Sequence, residues 1–307
     1  MRKPLPPVQK SSLATVYSLL SQYKRYGVMT RQFMLKEQYE LLLSCKATES
    51  ADLNFVKSAI YRDLLQRLHE LINDFTMLSF ALWFELETMP YHAVIGRVPS
   101  MVLERFTEEK WTILFRYRPI EELSLGKEDQ DFLQAIRQKN LDQMSQLIKV
   151  LQKFWKVYHG LQNKLIHSHS LVFGFRHLEH GQTPGILLPM TNNLNKPHLV
   201  TGYKIDDSTY FLWQRFYTCL SAVLDEIIDR AMKVIERQSN YLVESRVFYQ
   251  ISDSERKRLD EIITNCDKKI PKIVPTNSLK WSVSPEAQKS GDDLKTQMTN
   301  LLESMGF

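Results

Sequence analysis

Glycine is scarce in this chain, ten residues in 307, and cysteine scarcer still at three. Gly-rich phosphate loops are absent, as are a zinc-protease helix motif, a nucleophile elbow and a calcium loop, which removes many common enzyme classes. Cys45, Cys219 and Cys266 stand far apart, without the paired spacing of zinc or redox sites. An odd number of isolated thiols points to a reducing compartment, and so to a cytoplasmic protein. Long apolar runs are missing too. The most apolar stretch, Phe75 to Phe84, covers ten residues and includes Thr76 and Ser79, against the roughly 20 that a bilayer span requires. The opening MRKPLPPVQK places prolines where a secretory signal needs apolar residues. No export signal and no membrane partner are expected.

What the chain does have is an ordinary globular balance, 43% hydrophobic and 24% charged, with length enough to bury a core without disulfide staples. The formal charge is +5 and unevenly placed. Arg2, Lys3, Lys10, Lys24, Arg25, Arg31 and Lys36 all precede the first acidic residue, Glu37. Such an arm is ordinarily a solvated helix face; phosphate binding is the alternative.

Helical periodicity dominates. From Leu141 the apolar positions Met144, Leu147, Ile148, Leu151, Phe154, Trp155, Tyr158, Leu161 and Leu165 mark one buried stripe. A second, wider stripe runs from Phe211 to Ile235 behind possible caps at Asp206, Asp207 or Ser208. A third helix is predicted from about Asp52 to Glu87, and an earlier one over Ser11 to Ser44 with a possible break at Gly27. Shorter helices are expected at Pro99 to Phe106, Lys127 to Lys139 and Ser252 to Cys266. Strand alternation is confined to Gly185 to Lys204, where two short runs flank the turn-prone segment Thr191 to Asn195.

The predicted fold is therefore all-α, an antiparallel bundle of long helices with a small loop or hairpin inserted around 181–204. Residues 1–270 read as one helical domain. Residues 271–307 read as a Pro- and Ser-rich linker followed by a short amphipathic helix, whose apolar positions over 294–305 suit self-docking or a protein partner.

Six of the eight histidines, His159, His167, His169, His177, His180 and His198, fall within forty residues. A metal site does not follow. His167 and His169 are two apart, about 200° around a helix, and Glu179 is the close carboxylate. No metal or other cofactor is expected. Trp155, Trp213, Phe154 and Phe211 lie on the helical stripes and read as core rather than as base-stacking platforms.

The segment Gln162-Asn163-Lys164-Leu165-Ile166-His167, at the end of the clearest helix, resembles the motif of the HEPN superfamily. In that family an arginine, a following polar residue and a histidine four to six residues further on sit late in a long helix of a four- or five-helix core. The resemblance spans about residues 52–240. It assigns His167 to the histidine position, Asn163 to the polar position and Gln162 to the arginine position. His169 is the alternative histidine and Lys164 a substitute cation one step along the helix. A looser match, Arg62 with His69, meets the spacing but lacks the asparagine and the late position.

In catalytic members two copies of the motif meet across a homodimer and cleave RNA without metal. Histidine moves the proton of the ribose hydroxyl or the leaving oxygen, and arginine stabilises charge at phosphorus. Glutamine has no charge to lend to that centre. The resemblance thus implies a homodimeric protein of bacterial type acting mainly by binding RNA, a nucleotide or a protein, in a toxin–antitoxin or phage-defence setting. An active metal-independent endoribonuclease is the alternative, with the motif residues as its catalytic group, and a structural adaptor bundle is the second alternative. Arg116, Arg118, Lys153, Lys156 and Lys164 are candidates for a basic surface beside the motif.

Overall fold

The computed structural model describes residues 7–45, 51–95, 99–166, 173–174, 185–188, 201–204, 207–238, 241–243, 246–267 and 284–305. The fold is all-α with one small sheet. Two compact units are present, Met1–Thr276 and Asn277–Phe307.

Helix α1 (Leu13–Gln22) starts at Ser12, whose Oγ accepts from the Thr15 N–H at 3.2 Å and so satisfies one of the first turn's open donors. It widens into a π-helical turn at Tyr23–Val28 and continues as α2 (Met29–Cys45). The expected break at Gly27 is that turn, in which a Cβ on residue 27 would stand 3.4 Å from the Tyr23 ring. Then follow α3 (Ala51–Leu82), α4 (Met89–Ile95), α5 (Pro99–Leu103), α6 (Glu108–Phe115) and the 40-residue α7 (Lys127–Ile166). Three short strands, β1 (Phe173–Gly174), β2 (Gly185–Leu188) and β3 (Thr201–Lys204), form an antiparallel sheet in the order β1-β2-β3, with Ile186 opposite both Gly174 and Tyr203. Helices α8 (Asp207–Arg237) and α9 (Asp253–Asp267) complete the first unit.

Among the described residues, the long helices bury the stripes that the periodicity marks. Leu64, Leu65, Leu68, Leu71, Ile72 and Phe75 of α3 meet Leu220, Val223, Leu224, Ile227 and Ile228 of α8 in one core. Each such side chain contributes about 1.5–3 kcal/mol of hydrophobic stabilisation. α7 runs antiparallel to α8. Its Tyr158 packs edge-on to Trp213 near the start of α8, while Arg137 and Arg230, early in α7 and late in α8, cover the same Tyr117 ring. α1 also lies against α8, held by Tyr17 Oη donating to Glu236 at 2.7 Å and Lys24 Nζ to Asp229 at 2.6 Å. A smaller core, with Leu133, Ile136, Val243, Leu259 and Ile262, joins the first turns of α7 to α9.

The sequence expectations need four corrections. The separate helices expected before and after residue 140 are one continuous α7. α6 was not expected, although Thr107 followed by Glu108 and Glu109 is a helix-start pattern. The sheet begins at Phe173, ahead of the expected insertion at 181–204. In the second unit, α10 spans Pro285–Met305, so Pro285, Ser290 and Gly291 are helical rather than part of a linker. Within α10, Leu294 and Met298 are exposed.

Between α6 and α7 and after α8, two extended segments cross the bundle. They pair in parallel at Tyr117 and Leu242, with Leu242 N donating to Arg116 O at 2.7 Å and Arg118 N to Leu242 O at 2.9 Å. Polar side chains buried in the bundle hold them there. Asn140, fully buried in mid-α7, donates from Nδ2 to Tyr117 Oη at 3.2 Å and Arg246 O at 3.1 Å, and its Oδ1 accepts from Phe248 N at 3.2 Å. Alanine at 140 removes the side-chain partners of the Phe248 amide and the Arg246 carbonyl in a part-buried setting. The expected loss is about 2–3 kcal/mol of unfolding free energy, read from urea titrations. A change under about 0.5 kcal/mol would mean that these segments are not held by Asn140.

Candidate functional site

The last turns of α7 place the motif. Leu151, Phe154 and Trp155 face the core, while Lys153, Lys156 and Val157 are exposed and Tyr158 and His159 are half-buried. Residues 162–164 lie in the final turns of the helix, about 5 Å along its axis beyond His159. The side chains of Gln162, Asn163 and Lys164 are outside the described set, and His167 and His169 lie outside the described residues altogether.

Just before the motif, three rings lie nearly parallel. The His69 ring of α3 stacks on Trp155 at 4.9 Å between centroids and 12° between planes, and His159 stacks on the same indole at 4.7 Å and 24°. The two imidazoles are 6.5 Å apart. His69 is 7% exposed. Its Nδ1 accepts from the Asn73 amide at 3.1 Å, so the neutral ring carries its proton on Nε2, which is buried with no hydrogen-bond partner. Burial, reinforced by the nearby His159, pushes the His69 pKa down to about 4. At neutral pH His69 is an uncharged donor and cannot act as a general acid through its imidazolium form.

Trp155 and His159 also line a cavity of about 500 Å³, together with Gln152 and Lys156 of α7 and with Ser100, Leu103 and Glu104 at the end of α5. Gln152 Nε2 donates to Leu103 O at 3.0 Å and ties the two walls together. The volume suits a small organic ligand. Its chemistry is mixed: the half-buried His159 ring for stacking, a cation at Lys156 and acceptors at Glu104 and Ser100.

The other sequence candidates are dispersed. Arg62 is exposed while His69 is buried, so the literal arginine–histidine spacing in α3 makes no joint site. Arg118 pairs with Glu122 at 3.5 Å, and Arg116 lines a different cavity. In the cationic arm, Lys10 is paired with Glu85 at 2.5 Å, Lys24 with Asp229 at 2.6 Å and Lys36 with Glu40 at 3.7 Å, which leaves that arm less charge for phosphate than the sequence suggests. Phe154, Trp155 and Trp213 are core residues as expected, but Trp155 also lines the cavity. Sequence reasoning missed Gln152, Ser100 and Glu104 and the joining of His69 to His159. Ninety residues separate those histidines, and no local pattern marks the pair.

Among the described residues, no group of three or more His, Cys, Asp or Glu is placed to hold a metal ion, and no helix is long and apolar enough to cross a membrane. Compared with known proteins, the chain matches no family model, no curated protein and no solved structure.

Proposed function

We propose that this chain is a HEPN-like helical protein that acts by binding single-stranded RNA or a nucleotide at the end of α7. The observation that carries the reading is the cavity walled by Trp155, His159 and Lys156, next to the motif-bearing turns. A base stacks on an aromatic face whatever its identity, a contact worth about 1–3 kcal/mol. Lys156 supplies a point charge for the adjoining phosphate. Glu104 accepts from an exocyclic amine or a ring N–H. Gln162 in the arginine position favours binding over cleavage, because an amide does not stabilise a pentavalent phosphorus centre. A second copy of the chain belongs to the same reading, and light scattering then gives twice the 36.1 kDa chain mass.

The test is fluorescence anisotropy with a short labelled RNA, on the full chain in EDTA. His159→Ala and Lys156→Glu each weaken binding by at least about tenfold, while Lys257→Glu, exposed on α9 beside the first turns of α7, leaves it unchanged. Equal binding by all three variants would remove the cavity from the account. Cleavage of the RNA in the same samples, lost in His167→Ala or His169→Ala, would replace the binding reading with the endoribonuclease one.

A further inference from the structure

A second cavity, of about 440 Å³, lies where α6 and α8 end, away from the Trp155 site. Its apolar lining is Leu13, Leu86, Val234 and Ile235, and its polar lining is Glu85, Glu87, Arg116, Gln238 and Tyr241. Arg116 and Gln238 both sit on left-handed backbone, at φ 52° and 49°. Glycine is the ordinary occupant of such a helix end, because a Cβ is strained there. Two large polar side chains stand at strained positions that line one cavity, a pattern common to ligand sites.

The charge on Arg116 is what makes this cavity unusual. Its Nη2 donates to Leu82 O at 3.0 Å, and among the described residues it has no carboxylate partner. Burial lowers its pKa, opposed by the Tyr241 phenol. Of the two glutamates, Glu85 is paired with Lys10 at 2.5 Å, and Glu87 lies in the field of the same ammonium. A half-buried guanidinium with no ion pair among the described residues and with N–H groups left over is a fork for a planar anion.

We propose that this cavity binds a small organic monocarboxylate with an apolar body. The carboxylate takes the free N–H groups of Arg116, with the Gln238 amide and Tyr241 hydroxyl as further donors. The hydrocarbon lies against Val234 and Ile235. Inorganic phosphate fits the charge but leaves the apolar wall unfilled, and a neutral alcohol does the reverse.

Calorimetric titration of the full chain with hexanoate, acetate, hexanol and inorganic phosphate tests this. Hexanoate binds with a Kd of about 1 mM or tighter, and the other three bind at least about tenfold more weakly. Arg116→Gly removes the guanidinium but suits the φ of 52°, so it folds with a melting temperature close to that of the wild type. It loses hexanoate binding by at least about tenfold. Tyr241→Phe, which keeps the ring, weakens hexanoate by about threefold. The proposal is overturned if wild-type protein does not bind hexanoate, if Arg116→Gly binds it equally well, or if hexanol or phosphate binds as tightly.

Discussion

Replacing Arg230 by alanine lowers the unfolding free energy by about 3–5 kcal/mol in a urea titration. Arg230 is fully buried in α8. Its Nε donates to the Phe115 carbonyl, its Nη2 donates to Val243 O at 3.0 Å, its Nη1 lies 3.5 Å from Glu226 Oε1, and its guanidinium covers the Tyr117 ring at 5.2 Å. One side chain thus fastens both crossing segments to the same helix. Truncation strands two carbonyls and leaves the buried Glu226 carboxylate without this cation, and each loss is costly where water is excluded. Arg230→Lys recovers only part of the loss, because an ammonium cannot reach both carbonyls in the planar fork. A loss below about 1 kcal/mol for the alanine variant would show that Arg230 does not hold the crossing segments.

The second large effect is a dependence of stability on acid that belongs to His69. Its folded pKa is about 4, against an ordinary value of 6.5. Above pH 6.5 the ring is neutral in both states and contributes no pH dependence. Between pH 6.5 and 4 the unfolded chain takes up a proton that the folded chain refuses, so stability falls as the pH falls, by up to about 1.4 kcal/mol per unit. By pH 4 the accumulated loss is about 3 kcal/mol. His69→Phe keeps a flat ring against Trp155 and removes the titration. Urea midpoints for the wild type and His69→Phe therefore diverge below pH 6.5, and the carboxylates common to both chains cancel in the difference. Parallel curves would contradict the buried, neutral imidazole, as would an NMR titration of the His69 ring with a midpoint near 6.5.

How far the fold is legible in the sequence depends on whether a signal is local. The stripes of α7 and α8 and the hairpin at Gly185 to Lys204 are patterns of near neighbours, and the structure has them. The continuity of α7 through Lys139 and Asn140 is not local. A polar pair reads as a surface or a helix end, whereas Asn140 is buried because its partners arrive from residues 117, 246 and 248. Pro285 reads as a linker residue by composition, yet at the first position of a helix its fixed φ and missing N–H cost nothing. Of the candidate site, the placement of residues 162–164 late in a long helix is legible. The aromatic stack beside them depends on α3 bringing His69 to Trp155, a contact across 86 positions that no spacing rule encodes. The basic arm shows the opposite error. Its sequence charge is genuine, but Lys10 and Lys24 find acids far along the chain at Glu85 and Asp229.

The central claim is that RNA or a nucleotide is held at the end of α7. Ultraviolet cross-linking of a thiouridine-containing single-stranded RNA to the full chain, with the attached peptides identified by mass spectrometry, tests it most directly. The account predicts cross-links concentrated in the α5 and α7 peptides that contain Glu104 and residues 152–169, abolished when His159→Ala and Lys156→Glu are combined. Cross-links confined to the arm before Glu37, or undiminished in the double variant, would contradict it.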